Sequence, residues 1–296
     1  MPQPPSSAEN INLTNTVCLV CGQVTFKSLC NNILVKCLNC SFISANMQLS
    51  PEEIRKIYSE NYFTGEEYED YLRDKAVLQK NFSNRLKKIY SVFPSIKITN
   101  ALEIGCAYGF FGELLKKNLN HVYYKGFDVT EEAIAYGKEN FNLDVSTQNY
   151  LDYKTDQKFT DVFMWDVIEH LMNPEKFLEK INRDSAPGAR LFITTGDIGA
   201  LLAKTQKCRW RMIHPPSHLQ YFSKETITLL LKKNGFTVKK VFYPPASRSA
   251  KVIFYSLFML RKNYPQWVEK IYKSIPDTLY ITINTFDIMF VIAVKD

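Results

Sequence analysis

The sequence predicts an α/β chain: a doubly wound, mostly parallel sheet whose final strand runs antiparallel, preceded by a small thiol-rich module. Three observations predict it. Apolar, strand-like runs alternate with amphipathic, helix-like runs from Pro94 onward. The last strand-like run, "FDIMFVIAV", has a helical insertion before it and no helix after it, which favours an antiparallel placement. Four of the seven cysteines form two C-x-x-C pairs within the first forty residues.

The bulk properties set limits on what such a chain does. A length of 296 residues suits one large α/β domain with a small appendage, and 46% hydrophobic content supports a sizeable core. A formal charge of +7 is mild: it helps attract an anionic small molecule without calling for nucleic acid. Residues 1–16 are polar and Pro/Ser-rich with no apolar h-region, so they read as a disordered lead-in rather than a signal peptide. The longest apolar run, Val252 to Leu260, is too short for a bilayer, so no membrane span and a cytoplasmic location are expected.

The elements follow in order. Residues 17–46 carry the thiol pairs and the β-prone "QVTFKSL" and "NNILVK". Residues 47–98 read as a helical lid or connector. Ser50 is a good N-cap for "PEEIRKIY", the aromatics Tyr58, Tyr62, Phe63, Tyr68 and Tyr71 alternate with acids, and Leu78, Phe82, Leu86 and Tyr90 mark a helix face. Residues 99–296 hold the α/β domain, with an insertion at about 244–284. Its strands are "NALEIG", "HVYYKGFDV", "LDVSTQ", "TDVFMWDV", "GARLFITT", "TVKKVFY" and the terminal run. Between them, Thr130 and Ser223 are N-cap candidates, and Asn173-Pro174 opens another helix.

The stretch "ALEIGCAYGFFGELL" is a strand, a glycine turn and a helix, the geometry that brings backbone N–H groups close to a ligand. A dinucleotide fingerprint starting at Gly105 fails at Ala107 and Phe110, and the Lys-Ser/Thr pair of a P-loop is missing. What fits is E-x-G-x-x-x-G, on Glu103, Gly105 and Gly109. Asp128 ends the next strand, where a carboxylate can accept both hydroxyls of a ribose. Capping of the following helix falls to Thr130. The fourth strand ends at Trp165-Asp166 and runs into "VIEHLMNP".

These motifs resemble those of class I S-adenosylmethionine-dependent methyltransferases, with Ala107 in place of the usual central glycine and a Rossmann-like sheet implied. The substitution is tolerable if φ at Ala107 stays negative. The resemblance implies S-adenosyl-L-methionine as cofactor, held by Glu103, Gly105, Cys106, Ala107, Gly109, Asp128, Val129, Asn149, Tyr150 and Asp166, with Asn149 and Tyr150 near the adenine. Glu103 would bind the amino group.

Cys18-x-x-Cys21 and Cys37-x-x-Cys40 have the spacing of a four-thiolate structural zinc site, and Gly22 permits the turn after the first pair. The alternatives are a redox dithiol, or Cys30 in place of one of the four ligands. An odd cysteine total argues against a disulfide framework, and Cys30 is expected to pack. Through Ser50 this ribbon carries only Lys27 and Lys36 as basic residues, which points away from nucleic acid and towards a structural or lid-like role beside the active site.

A long loop after the fifth strand concentrates Arg209, Trp210, Arg211, His214, His218 and Tyr221, a set suited to sugars and phosphates. The ribbon, "SPEEIRKIYSENYF", "DVIEHLMNP", "HPPSHLQYFS" and the terminal strand together look like zinc-ribbon-bearing class I methyltransferases associated with sugar and surface-polysaccharide modification. That resemblance implies O-methylation of a small-molecule or glycan-related acceptor, a nucleotide sugar among the candidates. His218 or His170 would be the general base, His214 the third choice, and His121 structural. The competing readings are an RNA methyltransferase using the ribbon for RNA, and a scaffold that binds S-adenosylmethionine without turnover.

Overall fold

A computed structural model describes residues 17–50, 52–53, 57, 71–119, 121–259, 264–276 and 278–296. The N-terminal lead-in and the aromatic run from Tyr58 to Tyr68 lie outside these. Ser50 does act as a cap: its hydroxyl accepts from the Glu53 amide (3.2 Å), and its own amide donates to the Glu53 carboxylate (2.7 Å). The rest of that helix is largely outside the described residues.

The ribbon contributes β1 (Phe26–Leu29), β2 (Leu34–Cys37) and β3 (Ile43–Ala45), an antiparallel meander. Helix α1 (Lys75–Val92) follows. The α/β unit then alternates β4 (Asn100–Ile104), α2 (Phe110–Asn118), β5 (Tyr123–Phe127), α3 (Glu131–Phe141), β6 (Asp144–Ser146), β7 (Phe159–Trp165), α4 (Pro174–Asp184) and β8 (Ser185–Gly196). After α5 (Leu201–Gln206) come β9 (Gln220–Tyr221), α6 (Lys224–Lys233) and β10 (Phe236–Phe242). The chain then forms β11 (Ala246–Ser249), α7 (Ala250–Phe258), α8 (Gln266–Ser274) and β12 (Tyr280–Ile283), and ends on β13 (Ile288–Lys295).

Seven strands form the main sheet in the order β10-β13-β8-β7-β4-β5-β6. β13 is antiparallel to both β8 and β10, and the other pairings are parallel, as the sequence predicts. Helices cover both faces, so consecutive residues of the central strands are buried on opposite sides. On β7, Val162 and Met164 join one core layer while Phe163 and Trp165 join the other. The same parity puts Leu102 and Ile104 of β4 in the first layer, with Ala101 in the second. Glu103 therefore points to the side of Trp165 and α1, and that parity places its carboxylate at the site.

Helix ends follow local chemistry. Ser223 and Thr226 make a reciprocal capping pair at the start of α6. Gly235 leaves it at φ +77. Thr130 does not cap α3 with its side chain; Asp128 takes that role, accepting from the Thr130 amide at 3.0 Å. The expected face of α1 is rotated as well: Val77, Phe82, Leu86 and Ile89 are its buried residues, whereas Leu78 turns to the cleft described below.

Two non-local connections were not anticipated. β9, in the loop after β8, adds to the ribbon sheet as its fourth strand, pairing Ile43 with Tyr221 and Ser44 with Gln220. Cys30 does not simply pack: it forms a disulfide with Cys208, 178 positions away. The folded chain brings the β1–β2 turn to the end of α5, a proximity that composition cannot reveal. In the insertion, β11 and β12 pair, and Asn81 of α1 exchanges hydrogen bonds with Ser247 of β11 (2.8 and 2.9 Å).

Candidate active site and thiol centre

The glycine loop sits between the C-terminal end of β4 and the start of α2. The amides of Gly105 and Cys106 both donate to the Phe127 carbonyl (2.7 and 3.0 Å), which folds the loop back over β5. Gly105 adopts φ +75, and a Cβ there would lie 2.3 Å from Val167 Cγ2, so glycine is required by backbone and by space. Gly109 starts α2 at φ +78. Ala107 corrects the sequence expectation: its φ is +44, a left-handed conformation that costs an alanine roughly 1 kcal/mol or more. Asp128 holds it there, its carboxylate accepting from the Ala107 amide at 2.8 Å.

Asp128 thus accepts two backbone N–H groups, from Ala107 and Thr130. A carboxylate offers about four lone-pair sites, so acceptor capacity remains for two hydroxyls. Burial raises its pKa, and the backbone donors counter that. Val129 beside it is 55% exposed, an apolar surface at the strand tip.

Glu103 is 2% exposed and accepts from the Tyr124 hydroxyl. Burial pushes its carboxyl well above the usual range, with the Tyr124 hydrogen bond opposing and Asp128 adding to the rise. A cation such as an ammonium is the natural partner for such a group. Glu103, Gly105 and Cys106 line a cleft whose other wall is α1, through Leu78, Phe82 and Arg85. Asp166, at φ +56 after β7, closes one side; its amide is fixed by the Thr194 carbonyl and hydroxyl (3.1 and 2.9 Å). Arg85 reaches it at 3.1 Å and lies 5.0 Å above the Trp165 ring.

The two residues expected near an adenine separate. Asn149 is exposed, its side chain accepting from the Leu151 amide at 3.0 Å. Tyr150 is buried: its hydroxyl donates to Asp184 at 2.9 Å and its ring packs on Phe127, which turns it into the core. A tyrosine can satisfy a buried hydroxyl on a carboxylate across the fold, and sequence position alone does not show which way it faces.

Three of the four histidines converge, and His121, exposed ahead of β5, stands apart. The His170 and His218 ring centroids are 4.5 Å apart, and His214 lies 3.8 Å from His218. His170 Nδ1 faces the Ser217 carbonyl and His218 Nδ1 the Met212 carbonyl, each at 2.9 Å. Burial drives His218 down to about 2, with His170 and His214 adding to the shift, so it stays neutral and is a weak proton acceptor. Glu169, which residue type and spacing do not single out as a site residue, is 2% exposed next to them. Its signal was its place in "DVIEH", one residue before His170.

Of the other residues expected in this loop, Arg209 is exposed, whereas Trp210, Arg211 and Tyr221 make contacts within the fold. Trp210 is buried with its indole N–H on Asp287 (2.8 Å), and Arg211 pairs with the same carboxylate (2.9 and 3.1 Å). Tyr221 is buried, its hydroxyl donating to the His218 carbonyl at 2.8 Å. Of the set expected to stack on sugars and bind phosphate, these three serve to fold the loop.

The thiols of Cys18, Cys21, Cys37 and Cys40 all lie within 4.8 Å of one another. Cys18–Cys40 and Cys21–Cys37 are separated by 3.5 and 3.6 Å. A tetrahedron with metal–sulfur bonds of about 2.3 Å has edges near 3.8 Å, so the donor set fits zinc in both chemistry and size. Gly22 turns at φ +75 after the first pair, as expected.

Residues 62–241, more than half of the chain, match the family model described as "Methyltransferase domain". A curated relative, the mitochondrial ubiquinone biosynthesis O-methyltransferase of Dictyostelium discoideum, is 30% identical over 112 residues. That alignment spans 32% of this chain and 35% of the relative, about a third of its length. Among solved structures, magnesium protoporphyrin IX methyltransferase from Synechocystis, with bound S-adenosylhomocysteine, superposes with a TM-score of 0.53 at 12% identity. It covers 83% of this chain and 100% of its own. A SAM-dependent methyltransferase from Archaeoglobus fulgidus gives 0.50 at 18% identity, covering 76% of this chain and 99% of its own. Likenesses at these identities establish the fold.

Proposed function

The chain belongs to the methyltransferase-domain family, and from that premise we propose that it moves the methyl group of S-adenosylmethionine to a hydroxyl of a small acceptor. The observation that carries the reading is the Asp128–Ala107 hydrogen bond, which holds the glycine loop in a left-handed turn beside the buried Glu103. S-adenosylmethionine has no phosphate, so its loop needs close backbone approach rather than an anion nest. Glu103 would take the amino group, Asp128 the ribose hydroxyls, and Val129 and Asn149 would flank the adenine. Asp166 would lie beside the methyl.

Transfer is an in-line displacement: the acceptor oxygen forms a bond to the methyl carbon as the sulfur–carbon bond breaks, and S-adenosylhomocysteine leaves. Positioning and exclusion of water supply much of the acceleration. The acceptor proton would pass to the histidine cluster, where burial makes His218 a weak acceptor and leaves His170 and His214 as the candidate bases. The partial relative is a ubiquinone biosynthesis O-methyltransferase, which supports oxygen as the nucleophile. The acceptor we infer is a hydroxylated small molecule, a sugar or glycan-related compound in the terms of the sequence resemblance. Nucleic acid is disfavoured by a ribbon with two lysines whose fourth strand comes from the histidine loop.

The four thiols would hold a structural zinc ion, and the ribbon would then brace the histidine loop through β3 and β9. The test is release of S-adenosylhomocysteine across nucleotide sugars, glycans, small hydroxylated acceptors and RNA. Turnover with a hydroxylated small molecule is expected; turnover with RNA alone, or with no acceptor class, would overturn the reading.

A further inference from the structure

Glu169, His170 and His218 gather just past the tip of β7, and one ligand atom from each lies within 4.8 Å of the other two. The two rings are set alike. Each faces a backbone carbonyl through Nδ1, at Ser217 and at Met212, both 2.9 Å away. An Nδ1–H donated to a carbonyl leaves the lone pair on Nε2, the arrangement by which proteins orient an imidazole towards a metal.

The carboxylate gives the second, independent observation. Glu169 is 2% exposed, and neither of its oxygens makes a hydrogen bond of good geometry among the described residues, its own amide and the Thr195 hydroxyl being the donors nearby. A buried acid so poorly satisfied is costly, and a bound cation resolves that cost. The surrounding backbone holds the group in place: the Glu169 carbonyl accepts from the Leu219 amide at 2.9 Å, and Gln220 donates to the Leu171 carbonyl at 3.0 Å. Both histidine-bearing segments are therefore tied to each other and, through β9, to the ribbon.

The donor set selects the ion. Two neutral imidazoles and one carboxylate suit a first-row divalent transition metal and leave a coordination position open. Magnesium and calcium favour all-oxygen shells. We propose that Glu169, His170 and His218 form a second metal site, separate from the four thiols, that binds a divalent ion of the zinc class. The site lies three residues after Asp166. On the methyl-transfer reading, to which only this role is tied, an acceptor hydroxyl would bind at the open position and His214 would be the imidazole left to take its proton.

The test measures metal in the full-length protein, independently of turnover. Zinc per chain is determined by elemental mass spectrometry after loading with Zn2+ and gel filtration, for the wild type, Glu169→Gln, His170→Asn and Cys37→Ser. Glu169→Gln is nearly isosteric and His170 is only half-buried, so both variants keep the fold; circular dichroism checks this. Glu169→Gln and His170→Asn are each expected to lose one equivalent relative to wild type. X-ray absorption on the wild type is expected to show nitrogen or oxygen scatterers at about 2.0–2.1 Å beside sulfur at about 2.3 Å. The same zinc content in wild type, Glu169→Gln and His170→Asn, or a sulfur-only shell in the wild type, overturns the proposal. Loss of zinc in Cys37→Ser with the nitrogen or oxygen shell retained supports two separate sites.

Discussion

Arg85 of α1 lies 3.1 Å from Asp166 at the tip of β7, and this ion pair bridges the two walls of the cleft that Glu103 and the glycine loop line. The pair is unequal: Asp166 is 40% exposed while Arg85 is 14% exposed and covers the Trp165 ring. Solvent screening limits such a pair to about 1 kcal/mol or less of stability, so its value is geometric.

We predict that Arg85→Ala lowers kcat/KM roughly tenfold while shifting the melting temperature by only a few degrees. Steady-state kinetics and differential scanning calorimetry check this. An unchanged kcat/KM would show that α1 does not shape the site.

Asp128 carries two backbone hydrogen bonds and, in this account, the ribose. Charge-assisted hydrogen bonds contribute about 1.5–3 kcal/mol each. Asp128→Ala should therefore weaken S-adenosylhomocysteine binding by roughly 100-fold and destabilise the apo protein by about 2 kcal/mol. A loss of stability with full ligand affinity would leave Asp128 only its role in shaping the loop.

Glu103 makes stability depend on pH. Its folded pKa is raised above its unfolded value near 4.5, so the folded state holds the proton more tightly. Its contribution is present at low pH and is lost as pH rises from the unfolded value through the folded one. Thermal scans should show that Glu103→Gln removes part of the wild-type decline above about pH 5. Its affinity for S-adenosylmethionine should also fall, because the amide is neutral towards the amino group. Parallel stability curves for the two proteins would contradict the assignment.

The ribbon is predicted to act on the histidine loop through β3 and β9. Cys37→Ser, which removes one thiolate, should speed hydrogen exchange at the amides of Ile43–Ala45 and Gln220–Tyr221. Turnover should fall while cofactor binding is kept. Unchanged exchange in β9 would separate the ribbon from the site. Reduction of Cys30–Cys208 serves as a control for the other tether between these segments.

Those tethers mark where sequence reading stopped. Alternation of strands and helices, the strand-tip carboxylates and the paired thiols are local patterns, so the sheet, the glycine loop and the thiol cluster were legible. The left-handed backbone of Ala107 was not legible, because the hydrogen bond that holds it comes from Asp128 on another strand. Cys30 and the two-residue β9 depend on contacts with distant segments, which neither periodicity nor spacing encodes. Tyr150 was assigned through the resemblance and Trp210 and Arg211 by residue type, yet their polar atoms are used by Asp184 and Asp287 inside the fold. Glu169 was quoted within its motif but not valued, since its burial beside two histidines exists only in three dimensions.

The central claim is that the loop from Glu103 to Gly109, with Asp128, is an S-adenosylmethionine site. Isothermal titration of S-adenosylhomocysteine into the full-length protein and into Asp128→Ala tests it most directly. The account predicts saturable one-to-one binding to the wild type that is strongly weakened in the variant. A folded wild type that gives no saturable heat, or a variant that binds equally well, would contradict it.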